Sequence, residues 1–286
     1  MAGVDLNVYR FDYDLTFAAL LMNADGTVYR TYAGRDSSSA LSHLSLPGFV
    51  RVLNETLQDH DEYVKNPRPP RRKKKRTIEQ IPRWAREIKN GKARDCYHCH
   101  MVYEGRIEDL QERRRWTREQ AWLWPDPVQL GLTLDRDDQT LVKQVARGSV
   151  ADKAGVEAGH HITGIGGRSV RTFGDVQRVL HETSGGSTRL ALGFKSDREA
   201  WTKTLRLPKG WKEPTPLVYS WRGSKWSLSP KPGFGGKPLD AAEKKALGLP
   251  EDHFAFRVNY LVTWGPNRQT GHNARQAGIR KGDVIV

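Results

Sequence analysis

Several small mixed α+β domains on one chain are what the sequence predicts, and three observations predict them. The 286 residues are 37% hydrophobic and 28% charged, a balance that supports cores of modest size. Short runs with strand-like alternation are separated by glycine- and proline-containing turns and by helical stretches. A block of small residues and two glycines, Ala151 to Ile162, returns as Ala274 to Ile285, an internal repeat. Other classes are excluded. No apolar run is long enough to span a bilayer. Two cysteines cannot make a disulfide framework. The first residues, MAGVDLNVYRFDYD, lack the basic and apolar parts of a signal peptide. Val286 falls inside the repeated block, so the chain is expected to be part of a longer protein.

Residues 1–64 predict strand, turn, strand, helix. Phe17 to Met22 is a buried-strand run, Asn23-Ala24-Asp25-Gly26 a turn, and Val28 to Tyr32 the return strand. Ser37, Ser38 and Ser39 are candidate caps for a helix carrying Leu41, Leu44, Phe49, Val50, Leu53 and Leu57, with a break expected at Pro47-Gly48. This hairpin and helix, with Gly34 after the second strand, resemble the C-terminal half of a thioredoxin-like fold. The strand before the hairpin lacks the expected proline, Leu15-Thr16-Phe17 standing there, and the half that carries a redox pair is missing. The resemblance therefore implies a structural or docking segment.

Residues 65–124 are strongly basic, with 18 lysines and arginines against 7 acids between Lys65 and Arg118. The densest part is Asn66-Pro67-Arg68-Pro69-Pro70-Arg71-Arg72-Lys73-Lys74-Lys75-Arg76. Self-repulsion and proline stiffness predict an extended, solvated linker. The alternative is contact with an anionic surface through Arg71, Arg72, Lys73, Lys74, Lys75 and Arg76. No aromatic residues interleave the run to stack on bases, so nucleic acid is not favoured. Helices are expected over Ile78–Lys89 and from about Ile107 to Trp122, with Trp116, Trp122 and Trp124 packing against a neighbouring domain.

Between these helices lies Cys96-Tyr97-His98-Cys99-His100-Met101, which contains C-x-x-C-H. The spacing resembles c-type haem attachment, which implies Cys96 and Cys99 as thioether links and His100 as the axial iron ligand. On a turn of helix two thiols so spaced reach the two vinyl groups. A dithiol redox pair, a zinc site using the nearby histidines and an accidental match are the alternatives. The sixth iron position has no marked ligand: Met22, His43, His60 or an open site all remain. Haem c would place assembly outside the cytoplasm, in the periplasm or another exported location.

Residues 125–207 carry the clearest order: the loop Leu130-Gly131-Leu132-Thr133-Leu134, a paired strand Leu141–Val145, a small helix from Ser149, a strand after Gly159, a hairpin around Gly166-Gly167, a helix capped by Thr172 with Asp175 three residues on, and a strand Leu190–Phe194. This order resembles a bacterial protease-type PDZ domain, a β-sandwich or barrel-like unit. The resemblance implies a groove for C-terminal or extended peptides. In it Leu130, Gly131, Leu132 and Thr133 would hold the terminus and main chain, while Val176 and Leu180 of the helix would line the side-chain pocket. His160-His161 stands where the family carries an acidic residue, kept as Asp283 in the repeat. A tolerated surface substitution is expected there, with a metal-binding or pH-sensitive spot as the alternative. No Gly-x-Ser-x-Gly element accompanies the domain, which disfavours proteolysis. The repeat implies the start of a second PDZ domain, with Leu247-Gly248-Leu249 as its loop and Phe254–Val258 as its strand.

The expected arrangement is thus a partial thioredoxin-like α/β segment (1–64), a basic linker with the C-x-x-C-H element (65–124), a first PDZ domain (125–207), and a linker with a truncated second one (208–286). A peptide-binding scaffold, with or without haem, is the expected function; a thiol redox protein using Cys96 and Cys99 is the alternative.

Overall fold

The computed structural model describes every residue except 71–72, 95, 197–198, 214–220, 224–230 and 266–267. The chain divides into two units, Met1–Ser227 and Leu228–Val286. It is mixed α+β, built on small sheets of two to four strands, none closed. The barrel-like closure expected of the central domain is therefore not found.

In the first unit, β1 (Ala18–Met22) and β2 (Val28–Ala33) pair antiparallel from Ala18 opposite Ala33 to Met22 opposite Val28. Gly26 closes the turn at φ +92°, a conformation that costs glycine little. Helix α1 (Leu46–Lys65) then covers the hairpin, and Tyr32, Leu44 and Val52 form their shared core. Its cap is Ser45, whose Oγ accepts from Gly48 N at 3.0 Å, not the serine run at 37–39. Pro47 starts the helix where a break was expected, because a first-turn proline lacks only an N–H that has no partner inside the helix.

In the basic segment, Arg71 and Arg72 lie outside the described residues; Lys73 to Arg76 are exposed and without regular secondary structure, as a solvated extended segment would be, but they are tethered. Leu6 N donates to Arg76 O at 2.7 Å, Arg76 N to the Asp5 carboxylate at 3.2 Å, and Asn7 Nδ2 to Lys74 O at 2.9 Å. Main-chain bonds of this kind hold the strand whatever the charge of its side chains, which is why the charge pattern did not reveal it. A 3₁₀ turn (Ile78–Gln80) leads into α2 (Pro82–Lys89), and α3 runs Met101–Glu112. The helix expected from Ile107 to Trp122 thus starts earlier and stops at Glu112, with a separate 3₁₀ turn at Arg118–Ala121. Trp84, 1% exposed, ties the pair together by donating Nε1–H to Met101 O at 3.0 Å. A side chain at Gly105 would sit 2.6 Å from that indole nitrogen, so glycine lets α3 approach.

Residues 125–207 form two open sheets around one core. β3 (Leu132–Leu134) pairs with β4 (Val142–Val145), and the other sheet runs β6 (Arg168–Ser169), β5 (His161–Ile165), β7 (Thr188–Lys195), β8 (Ala200–Leu207). Helices α4 (Val150–Lys153) and α5 (Phe173–Glu182) complete it. Strand alternation drives Leu190, Leu192 and Phe194 inward against Leu130, Leu132, Val176 and Leu180. A buried ion pair crosses the unit: the Arg222 guanidinium meets Asp12 at 2.8 Å and donates to Trp124 O at 3.0 Å.

The second unit is a three-stranded sheet in the order β9 (Phe234–Pro238), β10 (Phe256–Leu261), β11 (Val284–Ile285), with α6 (Ala241–Ala246) and α7 (Arg268–Gln276). Among the described residues no helix is long and apolar enough to cross a membrane.

Candidate functional site

The loop before β3 is built from a 3₁₀ turn, Pro127–Leu130, that Asp126 caps by accepting from Val128 N at 3.0 Å. Gly131 follows in the left-handed region at φ +86°, and a methyl group added there would overlap the Ser149 side chain. Glycine is therefore required twice over. The Gly131 N–H is spent on Val128 O at 2.9 Å, while its carbonyl takes the Ala146 N–H at 2.8 Å. Ladder alternation then turns the N–H and C=O of Leu132 away from β4. Among the described residues β3 has β4 as its only strand partner, so this edge carries unpaired main-chain groups. Leu130 and Leu132 side chains are buried and Thr133 is exposed.

Helix α5 is the other half of the expected groove. Thr172 Oγ1 caps it by accepting from Asp175 N at 3.0 Å and also donates to Thr31 O at 2.7 Å. Asp175 accepts from Thr31 N at 3.3 Å, and burial raises its carboxyl above the ordinary range. Phe173 stacks on His43, centroids 3.7 Å apart, and Gln139 bridges the two by accepting from Phe173 N and donating to His43 O. Burial lowers His43 to about 4, against the pull of Asp36. One turn on, Gln177 donates to Trp124 O at 3.2 Å, and Trp124 stacks on His181, which burial lowers to about 4. Segments far upstream thus cover the helix. Val176 and Leu180, expected to line a side-chain pocket, are both 0% exposed and belong to the core. The residue pattern of α5 marked one face correctly as apolar; it carried no sign that Thr31, His43 and Trp124 press on the other.

The cysteine element lies elsewhere. Cys96 is exposed and Cys99 half-buried. Both precede α3, with His100 at its N-cap, so they do not share the helical turn that was expected. Tyr97 between them is buried, its ring 5.9 Å from Trp84. His100 Nδ1 is 2.7 Å from Glu104 Oε1. A carboxylate on one ring nitrogen leaves the other outward, the arrangement that an iron-ligating histidine carries, so these residues fit haem attachment in their accessible thiols and in His100. Of the sixth-ligand candidates, His43 is stacked on Phe173 and His60 is bonded to the Tyr29 hydroxyl at 2.9 Å. Among the described residues no three His, Cys, Asp or Glu side chains converge as a metal set.

The repeat is a repeat of geometry. Gly159 N donates to Val142 O at 2.8 Å and Gly282 N to Val258 O at 2.7 Å; Val156 N donates to Ala151 O at 3.1 Å and Ile279 N to Ala274 O at 3.0 Å. Ala146 N to Gly131 O is matched by Val262 N to Gly233 O, both 2.8 Å, and Gly233 has φ +81°. The matching turn lies at Gly233, which leads into β9, and the matching strand is Phe256–Leu261. Leu247-Gly248-Leu249 instead follows α6, inside the β9–β10 connection. The glycine cluster Gly233-Phe234-Gly235-Gly236 was the signal that a leucine-glycine-leucine pattern obscured. The same superposition of roles explains His160. Its Nδ1 accepts from Glu157 N at 3.2 Å, as the Asp283 carboxylate accepts from Arg280 N at 2.7 Å. The imidazole does the turn-closing work of the acid.

A glycine-turned loop running into an open-edged strand beside a capped helix defines a peptide-recognition module. Residues 141–192 match the family model described as a PDZ domain, so the chain carries a PDZ domain there. A search of curated proteins found no match. PDZ domains bind peptide segments of other proteins, which marks the chain as a protein-interaction scaffold.

Proposed function

We propose that residues 125–207 capture a C-terminal or extended peptide as an added strand along β3, with Leu130 to Thr133 holding its main chain. The observation that carries this reading is the unpaired edge at Leu132, whose N–H and C=O face away from β4. Edge addition supplies affinity through main-chain bonds and leaves selectivity to side chains. Thr133, exposed on that strand, is the first selectivity contact. A peptide side chain reaches Val176 or Leu180 only if α5 shifts away from β3, because both are fully covered. The test is selection from a library of random C-terminal heptapeptides, followed by titration of the hits as free acids and as amides. The expected result is perturbation of the Leu132 to Leu134 backbone amides and loss of affinity on amidation. Hits that bind without touching those amides would sink the reading.

The His100–Glu104 bond favours a second reading, covalent haem c at Cys96 and Cys99 with His100 as ligand. Haem would supply one-electron chemistry, and assembly would then occur in an exported compartment. Here Glu104 would fix the imidazole tautomer, and the exposed Cys96 and half-buried Cys99 would form the thioethers. Expression with haem-maturation machinery should yield a Soret band that survives denaturation. A colourless protein with two titratable thiols would shift the assignment to a dithiol pair. The second unit, with its Gly233 turn and repeated backbone bonds, is assigned by the same reasoning to the start of a second PDZ domain.

A further inference from the structure

A cleft of about 660 Å³ opens in the first unit, away from the β3 edge. Its size suits a small organic molecule, such sites being roughly 300–1,000 Å³. Its floor is apolar and rigid: Tyr13, Tyr103, Ile107 and Trp124 are all 5% exposed or less. The Tyr13 and Tyr103 rings are 5.3 Å apart, and Tyr13 N donates to the Tyr103 hydroxyl, so the floor is held by its own bonds.

The walls carry the opposite chemistry. Lys73 and Arg76 come from the basic segment that Asp5, Leu6 and Asn7 hold in place, and Arg106 comes from α3. These three cations make no ion pair among the described residues. Arg10, also on the wall, pairs with Glu182 at 2.9 Å, a carboxylate it shares with Arg168 and Arg178. The one acid at the cleft, Asp109, is taken up by Arg113 at 2.8 Å. Unpaired cations around an apolar floor exclude a neutral or cationic guest and give a simple inorganic anion nothing to bury. They match a guest with an apolar body and one anionic end.

We propose that this cleft binds a small amphipathic organic anion, its apolar body on the Tyr13–Tyr103–Trp124 floor and its carboxylate, sulfonate or phosphate on Lys73, Arg76 and Arg106. Lys73 and Arg76 are then part of a preformed anion wall, and the bonds to Asp5, Leu6 and Asn7 are what position them. This site is independent of peptide capture at β3.

The test is fluorescence titration of the whole chain with 8-anilinonaphthalene-1-sulfonate. One saturable site is expected, weakened about ten-fold or more in Arg76→Glu/Arg106→Glu, since two charge-assisted contacts are lost. The control Arg189→Glu/Arg206→Glu makes the same change in net charge on exposed positions of β7 and β8 and should bind as the wild type does. All four positions are exposed, and matching thermal unfolding will show that the fold is retained. Sodium dodecanoate should displace the probe and inorganic phosphate should not. Equal weakening in both double variants would overturn the proposal, as would displacement by phosphate as effective as by dodecanoate. Displacement by phosphatidylglycerol vesicles but not by free dodecanoate would overturn it in favour of a membrane surface.

Discussion

Replacing Gly174 by alanine tests whether the upstream hairpin is fastened to the PDZ helix. In an isolated helix the change stabilises by up to about 1 kcal/mol, because alanine is the better helix former. Here the added methyl collides with the Thr31 carbonyl oxygen, which is main chain and cannot rotate aside. Relief requires β2 to move off α5, and two bonds go with it: Thr172 Oγ1 to Thr31 O at 2.7 Å and Thr31 N to the Asp175 carboxylate at 3.3 Å. A neutral bond is worth about 1 kcal/mol and one to a charged group about 1.5–3 kcal/mol. Offset by the full helix gain, the net destabilisation is about 1.5–3 kcal/mol. Urea denaturation reads the midpoint, and proteolysis reads release of residues 1–64. Gly185→Ala, whose methyl meets only the Lys212 side chain at 3.8 Å, is the control, expected within about 0.5 kcal/mol of wild type. If Gly174→Ala is as stable as wild type or more so, the hairpin is not docked on α5 and the covered-helix account is wrong.

Gly131→Ala should cost about 1–3 kcal/mol through its left-handed backbone alone, with the Ser149 overlap adding to it; a melting temperature equal to wild type would refute this. Peptide binding is for that reason better probed at exposed Thr133, where Thr133→Lys should alter which peptides bind and leave urea stability unchanged. His43 holds a proton in the folded protein only below about 4, against an ordinary 6.5. Unfolding therefore takes up a proton between these values, so His43 contributes full stability above 6.5 and loses it as pH falls toward 4. Relative to His43→Gln, the wild type should lose about 3 kcal/mol across that window, at 1.36 kcal/mol per pKa unit; a stability difference independent of pH would contradict the burial. Arg222→Met leaves Asp12 buried without its partner and should cost about 3–5 kcal/mol, with Asp12→Asn/Arg222→Met recovering part of it in the same denaturation assay.

How much of this was legible in the residues varies with the range of the force involved. The β1–β2 hairpin, the Thr172 cap, the β7 alternation and the Ala151–Ile162 repeat are local patterns, and each stands in the structure where those patterns placed it. Pro47 and Leu247-Gly248-Leu249 were also local patterns and misled. The first is equally at home at a helix start as at a break, and the second imitates a strand-entry loop that belongs to Gly233. Lys73 to Arg76 are exposed as their charge implied, but their tether was not legible: charge repulsion is visible in a sequence, whereas the Asp5, Leu6 and Asn7 bonds that restrain the segment span about seventy residues.

The sequence by itself therefore determined the modules: a glycine-turned loop, an edge strand and a capped helix that together make a PDZ domain. Periodicity, caps and glycine turns depend on neighbours within a few residues, so they can be read in order along the chain. Only the tertiary structure decided what lies against those modules. It set Thr31, His43 and Trp124 over α5, buried Val176 and Leu180, left Leu132 at an open edge, and placed Lys73 and Arg76 at the wall of a cleft. Those outcomes come from close packing and main-chain bonds between distant segments, which satisfy buried polar groups without leaving a periodic mark in the sequence.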